Sequence, residues 1–149
     1  MPNPTAAMLV IGDEILSGRT RDANMYHLSG KLTAAGIDLR EVRVVSDDAD
    51  AIVAAVRALS ADYDTVVTSG GIGPTHDDIT ADCIAAAFGV EIDVRDDARA
   101  LLQAHYDSKG TELNEARLRM ARIPDGATLI DNPVSIAPGF TMENVHVMA

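Results

Sequence analysis

Thr68-Ser69-Gly70-Gly71-Ile72-Gly73-Pro74-Thr75-His76-Asp77-Asp78-Ile79-Thr80 follows an apolar run, Thr65-Val66-Val67, and precedes the helix-forming segment Ala81 to Phe88. The order predicts a buried strand, a glycine-rich loop and a helix. In open α/β sheets, ligands sit at the carboxyl ends of strands. Glycines at such a junction let the backbone approach a ligand, and the free N–H groups of a helix start favour an anion. No Gly-Lys-Ser/Thr closes the loop, so it is not a Walker A loop, and its glycine spacing does not fit a dinucleotide fingerprint. Asp77 and Asp78 stand where a phosphate loop carries lysine. Two carboxylates repel a phosphate unless a divalent cation lies between them. Two readings follow: an anion cradle beside a metal or acid/base site, or a tight turn with Asp78 as the helix N-cap.

Working outward, Ala6 to Ile11 reads as a strand apolar on both faces, which implies burial on both sides. Ile15 to Arg21 reads as a loop. Asn24 to Ala35 reads as a helix, with Asp22 as its cap, Gly36 as its stop and Met25, Leu28 and Leu32 as its inward stripe. Ile37 to Val45 is a second strand, Ala49 to Ala61 a helix and Asp64 to Thr68 the third strand. Val90 to Val94 alternates like an edge strand. Helices are expected at Asp96 to Ser108, with Ala98, Leu101, Leu102, His105 and Tyr106 on one side, and at Leu113 to Arg122. Pro124-Asp125-Gly126 and Asn132-Pro133-Val134 read as turns, Ala127 to Ile130 as a strand, Ile136 to Phe140 as a short loop or strand, and Asn144 to Met148 as a last strand. Alternating strands and helices predict right-handed crossovers and an α/β fold with a mainly parallel, doubly wound sheet. The 149 residues suffice for one domain, and the strand-like end suggests that the natural chain continues past Ala149.

Hydrophobic residues make up 47% of the chain and the formal net charge is −11. That charge argues against a nucleic-acid polymer or an anionic membrane as partner, and leaves a small phosphorylated ligand open. A single cysteine, Cys83, excludes an internal disulfide and fits a reducing cytoplasm. Its apolar helix suggests an inert core thiol.

Asp13-Glu14, Asp47-Asp48 and Asp77-Asp78 follow three strands. In a parallel sheet these strand ends share one edge, so the carboxylates gather if the strands are neighbours. Clustered, they suit Mg²⁺ or a similar hard cation; taken singly, Asp47 or Asp48 caps the helix at Ala49. His105 reads as a packed histidine, and His76 is a candidate ligand contact. Ser69 suits a hydrogen bond to a phosphate better than a nucleophile. Arg117, Arg119 and Arg122 are either a phosphate clamp or solvated helix arginines.

Gly12-Asp13-Glu14-Ile15-Leu16, Asp22-Ala23-Asn24, Ser46-Asp47-Asp48 and the long loop occur in an order that resembles the MoaB/MogA-like molybdopterin-binding family. Within that family the chain is similar to the amino-terminal domain of CinA (competence/damage-inducible) proteins. The resemblance implies a three-layer α/β/α sandwich that forms a homo-oligomer, a trimer or a dimer. It places a ligand phosphate on Ser69, Gly70, Gly71 and Gly73, with Thr75, Asn24, Pro138 and Gly139 as further binding residues. Asp47 and Asp78 match aspartates linked to catalysis, and Asp13, Glu14 and Asp77 would hold a divalent metal ion (Mg, Mn or Co). The CinA branch implies metal-dependent cleavage of a nucleotide pyrophosphate such as ADP-ribose. The alternatives are a non-catalytic module for molybdopterin or a related pterin, and a molybdopterin adenylyltransferase. Ser135-Ile136 stand where the branch has Gly-Thr before Ala-Pro-Gly. The amidase domain of full CinA proteins has no counterpart in these residues.

Overall fold

The computed structural model describes residues 2–131 and 137–148. The elements are β1 (Thr5–Ile11), α1 (Asp13–Leu16), α2 (Asn24–Ala34), β2 (Asp38–Val45), α3 (Ala49–Asp62), β3 (Thr65–Ser69), α4 (Thr80–Phe88), β4 (Ile92–Val94), α5 (Asp96–Ser108) and α6 (Glu115–Leu118). A 3₁₀ turn (Arg119–Ala121) leads to β5 (Arg122–Pro124), β6 (Thr128–Ile130), β7 (Gly139–Met142) and β8 (Val145–Val147).

Six strands form one sheet in the order β2-β1-β3-β8-β7-β6. β2, β1, β3 and β8 run parallel; β7 and β6 complete the sheet antiparallel. β1 therefore lies between β2 and β3, and Ala6 to Ile11 are all buried. That is why its sequence is apolar at every position rather than alternating. Ala7, Leu9 and Ile11 face a core built with Ile52, Val56 and Leu59 of α3 and Ile84 of α4. By alternation, Met8 and Val10 face the opposite layer, where α2 packs on β2. The fold is the mainly parallel α/β arrangement that the alternation of strands and helices predicts.

Several local expectations give way to tertiary context. Residues 13 to 16 form a short helix that takes in the first two residues of the loop expected from Ile15 to Arg21. No residue of α2 is buried; Met25 is 43% exposed and Tyr26 85%. The stripe at Met25, Leu28 and Leu32 is thus only half covered, because α2 lies over the sheet's edge strand. Leu101 likewise turns outward while Ala98, Leu102 and Tyr106 are buried. The helix expected over Leu113 to Arg122 stops early, since Arg122–Pro124 pairs antiparallel with β4. The turn expected at Asn132-Pro133-Val134 and the pair Ser135-Ile136 lie outside the described residues.

β8 is tied to α3 by one side chain. Asn144 donates from Nδ2 to the carbonyls of Ser60 (2.9 Å) and Tyr63 (3.0 Å), and its Oδ1 accepts from Ser60 Oγ (2.6 Å). The turn before β8 thereby meets the carboxyl end of α3. A strand distant in sequence is fixed beside β3.

Gly70, the first residue after β3, has φ +96°. A Cβ built there would lie 2.0 Å from the carbonyl oxygen of Ile11. A side chain at this point would push β3 away from β1. Gly70→Ala should therefore lower stability by roughly 3 kcal/mol or more, through positive-φ strain and the clash together. Denaturant unfolding of the variant measures it.

Candidate functional site

β1 and β2 end side by side, and their last turns are cross-linked. The Asp13 N–H donates to Asp47 Oδ2, and the Asp47 N–H donates to Asp13 Oδ1, both at 3.1 Å. Gly12 N–H also donates to the Val45 carbonyl at 3.0 Å. Each aspartate thus holds the other's backbone with one oxygen and keeps the second oxygen out of this pairing. Asp48, next in sequence, caps α3 by accepting from the Ala51 N–H at 2.9 Å. The two members of the Asp47-Asp48 pair therefore do different work.

The glycine loop is held from within. Thr80 is fully buried; its hydroxyl donates to the Gly70 carbonyl at 2.9 Å, and its N–H donates to the Gly71 carbonyl at 3.2 Å. Gly71 has φ +71°, and a Cβ there would sit 2.0 Å from Thr80 Oγ1. Asp78 Oδ2 accepts from the Thr75 N–H (3.0 Å) and the Thr75 hydroxyl (2.8 Å). A Cβ on Gly73 would lie 2.6 Å from that same oxygen. Asp78 thus fastens the loop, and Ile79, not Asp78, occupies the N-cap position of α4.

Hollows flank the loop on both sides. One, of about 380 Å³, is lined by Asp13, Glu14, Arg19, Asp47, His76, Asp77 and Ile79. A second, of about 270 Å³, includes Glu14, Arg21, Asp22, Asn24, Ser69 and Gly70. Glu14 belongs to both, so they adjoin. The third lies on the α4 side, with Gly71, Ile72, Gly73, Asp78, Arg119, Arg122 and Pro138 among its walls.

The fold thus brings Asp13, Glu14, Asp47 and Asp77 to one depression and places Asn24, Ser69 and Gly70 beside it. Asp78 lies on the opposite side of the loop, with Gly71, Gly73 and Pro138. Thr75 spends its hydroxyl on Asp78. Gly139 is glycine because a Cβ would meet the Val147 carbonyl oxygen at 2.7 Å, which is a requirement of the sheet. Among the described residues, no three of His, Cys, Asp and Glu form a group arranged to hold a metal ion. His76 and Asp77 meet at 3.5 Å in the open, a contact of little energy. Arg19 and Arg21, which line the first two hollows, went unremarked in the sequence. Their only sequence signal is their position just after Gly-Asp-Glu.

A model of the family described as probable molybdopterin binding domain matches residues 7–149. The chain belongs to that family. A crystal structure of the protein CinA from Thermoplasma acidophilum, described as of unknown function, is 36% identical and superposes with a TM-score of 0.87 over 99% of this chain and 88% of that one. MoaB of Pyrococcus furiosus, a tungsten cofactor synthesizing protein, shares the fold at TM-score 0.59 and 19% identity, covering 99% and 82% of the two chains. A protein of Caldivirga maquilingensis is 41% identical over 138 residues, 93% of this chain and 54% of its own length. One of Pyrobaculum calidifontis is 40% identical over 140 residues, 94% and 53%. The chain spans about half the length of the curated relatives it matches. This molybdopterin-binding-type domain takes its family description from a small ligand. Among the described residues, no helix is long and apolar enough to cross a membrane.

Cys83 packs into the core behind the loop, and burial, with lesser contributions from Asp82 and Asp48, pushes its thiol up to about 11. The thiol is protonated at neutral pH. Native protein at pH 8 should react with a thiol reagent at least ~10-fold more slowly than unfolded protein, since the thiolate is the nucleophile. Timed labelling with and without denaturant checks this.

Proposed function

We propose that this domain holds a nucleotide pyrophosphate, of the ADP-ribose kind, and hydrolyses it with a divalent cation, Mg²⁺, Mn²⁺ or Co²⁺. The observation that carries the reading is the cross-linked pair Asp13–Asp47, opening on an acidic hollow beside the glycine loop. The donor set suits a hard cation: each aspartate offers an oxygen outside the mutual pairing, and Glu14 and Asp77 stand in the same hollow. Mg²⁺ is usually held by one or two carboxylates, with water and substrate phosphate completing its shell. A three-carboxylate cage is therefore not required. Bound there, the cation would polarise a phosphoryl oxygen and lower the pKa of water.

The chain's own part is placement. The loop amides and the start of α4 favour the phosphates. Ser69 and Asn24 line the adjoining hollow, where the rest of the ligand fits. Water adds its oxygen to one phosphorus and the bridging P–O bond breaks. The products are AMP and a sugar phosphate, and the proton released passes to a carboxylate of the hollow. Asp78 keeps the loop in shape through Thr75.

Asp13→Asn and Asp47→Asn each keep an oxygen for the partner's N–H and lose the charge. Each should cut AMP release from ADP-ribose by about 100-fold or more while unfolding temperature changes little, because removal of a charged site group acts on the transition state. Wild-type protein that stays folded and releases no AMP with any of the three metals would overturn the reading. So would Asp47→Asn turning over at the wild-type rate.

The family's description favours a second reading, a pterin-holding module without turnover. Calorimetry with molybdopterin tests it, and addition of ATP with detection of released pyrophosphate tests adenylyl transfer. We also propose a homo-oligomer. Leu16, Met25, Tyr26 and Val44 are exposed apolar side chains on or beside the half-covered α2–β2 layer. Sedimentation equilibrium decides between dimer, trimer and monomer.

A further inference from the structure

We propose that Arg119 is an anion-binding residue and that the α4-side hollow is a second phosphate subsite, distinct from the acidic hollow. The chain carries 23 acidic against 12 basic side chains; Arg40, Arg43, Arg95 and Arg122 pair with carboxylates, and Arg119 has no such pair among the described residues. Its neighbours are engaged. Arg117 donates to the Glu112 carbonyl at 2.6 Å and stacks on Tyr106, with its guanidinium 5.1 Å from the ring centre. Arg122 donates to Asp82 at 2.6 Å. Arg119 makes no side-chain hydrogen bond or ion pair with the described residues, and its Nε is buried without an acceptor. Arg122 Nε is buried and unpartnered as well. A buried guanidinium N–H without an acceptor is unfavourable unless something supplies one.

Both arginines line the same hollow as Gly71, Ile72 and Gly73. Two carboxylates share the walls: Asp82 pairs with Arg122, and Asp78 accepts from Thr75. Arg119 is therefore a guanidinium with no paired carboxylate among the described residues, on a wall shared with the glycine-rich loop. The enclosed space is only about 20 Å³, room for one water. An anion would thus rest in the mouth of the hollow, between the loop and the guanidinium fork, and not inside it. A planar fork with several donors suits the oxygens of a phosphate.

The ligand class follows from the layout. Ser69 and Gly70 border the acidic side, and Gly71 to Gly73 border the arginine side. A ligand with two linked phosphates can place one on each side of the loop crest, whereas a monophosphate fills one side only. The inference rests on the proposed function only for expecting a pyrophosphate. The binding it describes does not need turnover.

The experiment is calorimetric titration of the full chain with inorganic pyrophosphate, inorganic phosphate and ADP-ribose, for wild type, Arg119→Gln and Arg119→Lys, with thermal unfolding of each. We expect Arg119→Gln to weaken pyrophosphate and ADP-ribose by about 10-fold or more and Arg119→Lys by a few-fold, as a lost fork is less costly than a lost charge. The salt dependence of pyrophosphate binding should become shallower in Arg119→Gln. Equal affinities and equal salt slopes in wild type and Arg119→Gln, with both proteins folded, would overturn the proposal. Arg119-dependent binding of pyrophosphate without any AMP release would support this subsite while removing the hydrolase reading.

Discussion

The Ile11 carbonyl leaves no room for a side chain at residue 70, and the architecture of the site depends on that contact. β1 ends there, β3 ends there, and the loop must turn at once between them. Thr80 then reaches back from the first residue of α4 to the Gly70 and Gly71 carbonyls. One short-range packing constraint thus sets the direction of α4, the path of the loop and the position of the hollows on either side. The glycines meet this constraint before they meet any ligand. Their bare Cα atoms are filled by Ile11, Thr80 and Asp78 of the same chain.

The acidic groups divide along the same line. Asp13 and Asp47 hold each other's backbone across adjacent parallel strands, so two separate strand ends behave as one rigid corner. Asp48 caps α3, and Asp78 closes the loop on Thr75. Each of the four gives one oxygen to a backbone N–H. What separates them is position: Asp13 and Asp47 border the acidic hollow, and Asp78 borders the α4-side one.

Charge is distributed to match. The protein is strongly acidic as a whole, yet on the α4 side of the loop Asp82 pairs with Arg122, and Arg119 has no carboxylate partner among the described residues. A long-range negative field would slow the approach of a phosphorylated ligand. On the proposed reading, a local guanidinium and a cation on the opposite side of the loop would offset that field, and bare main-chain amides between them would add directional hydrogen bonds without further charge.

Much of this was legible in the residues. The run of six buried apolar residues from Ala6 fixed β1 as a central strand, since only burial on both faces tolerates such a run. The Gly-Asp-Glu, Asp-Ala-Asn, Ser-Asp-Asp and glycine-loop motifs indicated the family and pointed to the strand ends. What only the tertiary structure decided was the side each group faces. Met25 is an inward position by periodicity, yet it is exposed, because α2 covers an edge strand. Arg122 leaves its helix because β4 offers a partner strand, and that departure brings Arg119 and Arg122 to the loop. Spacing along a chain sets which residues share a face; it carries no information about which neighbouring element arrives to cover that face, since that depends on contacts far apart in sequence.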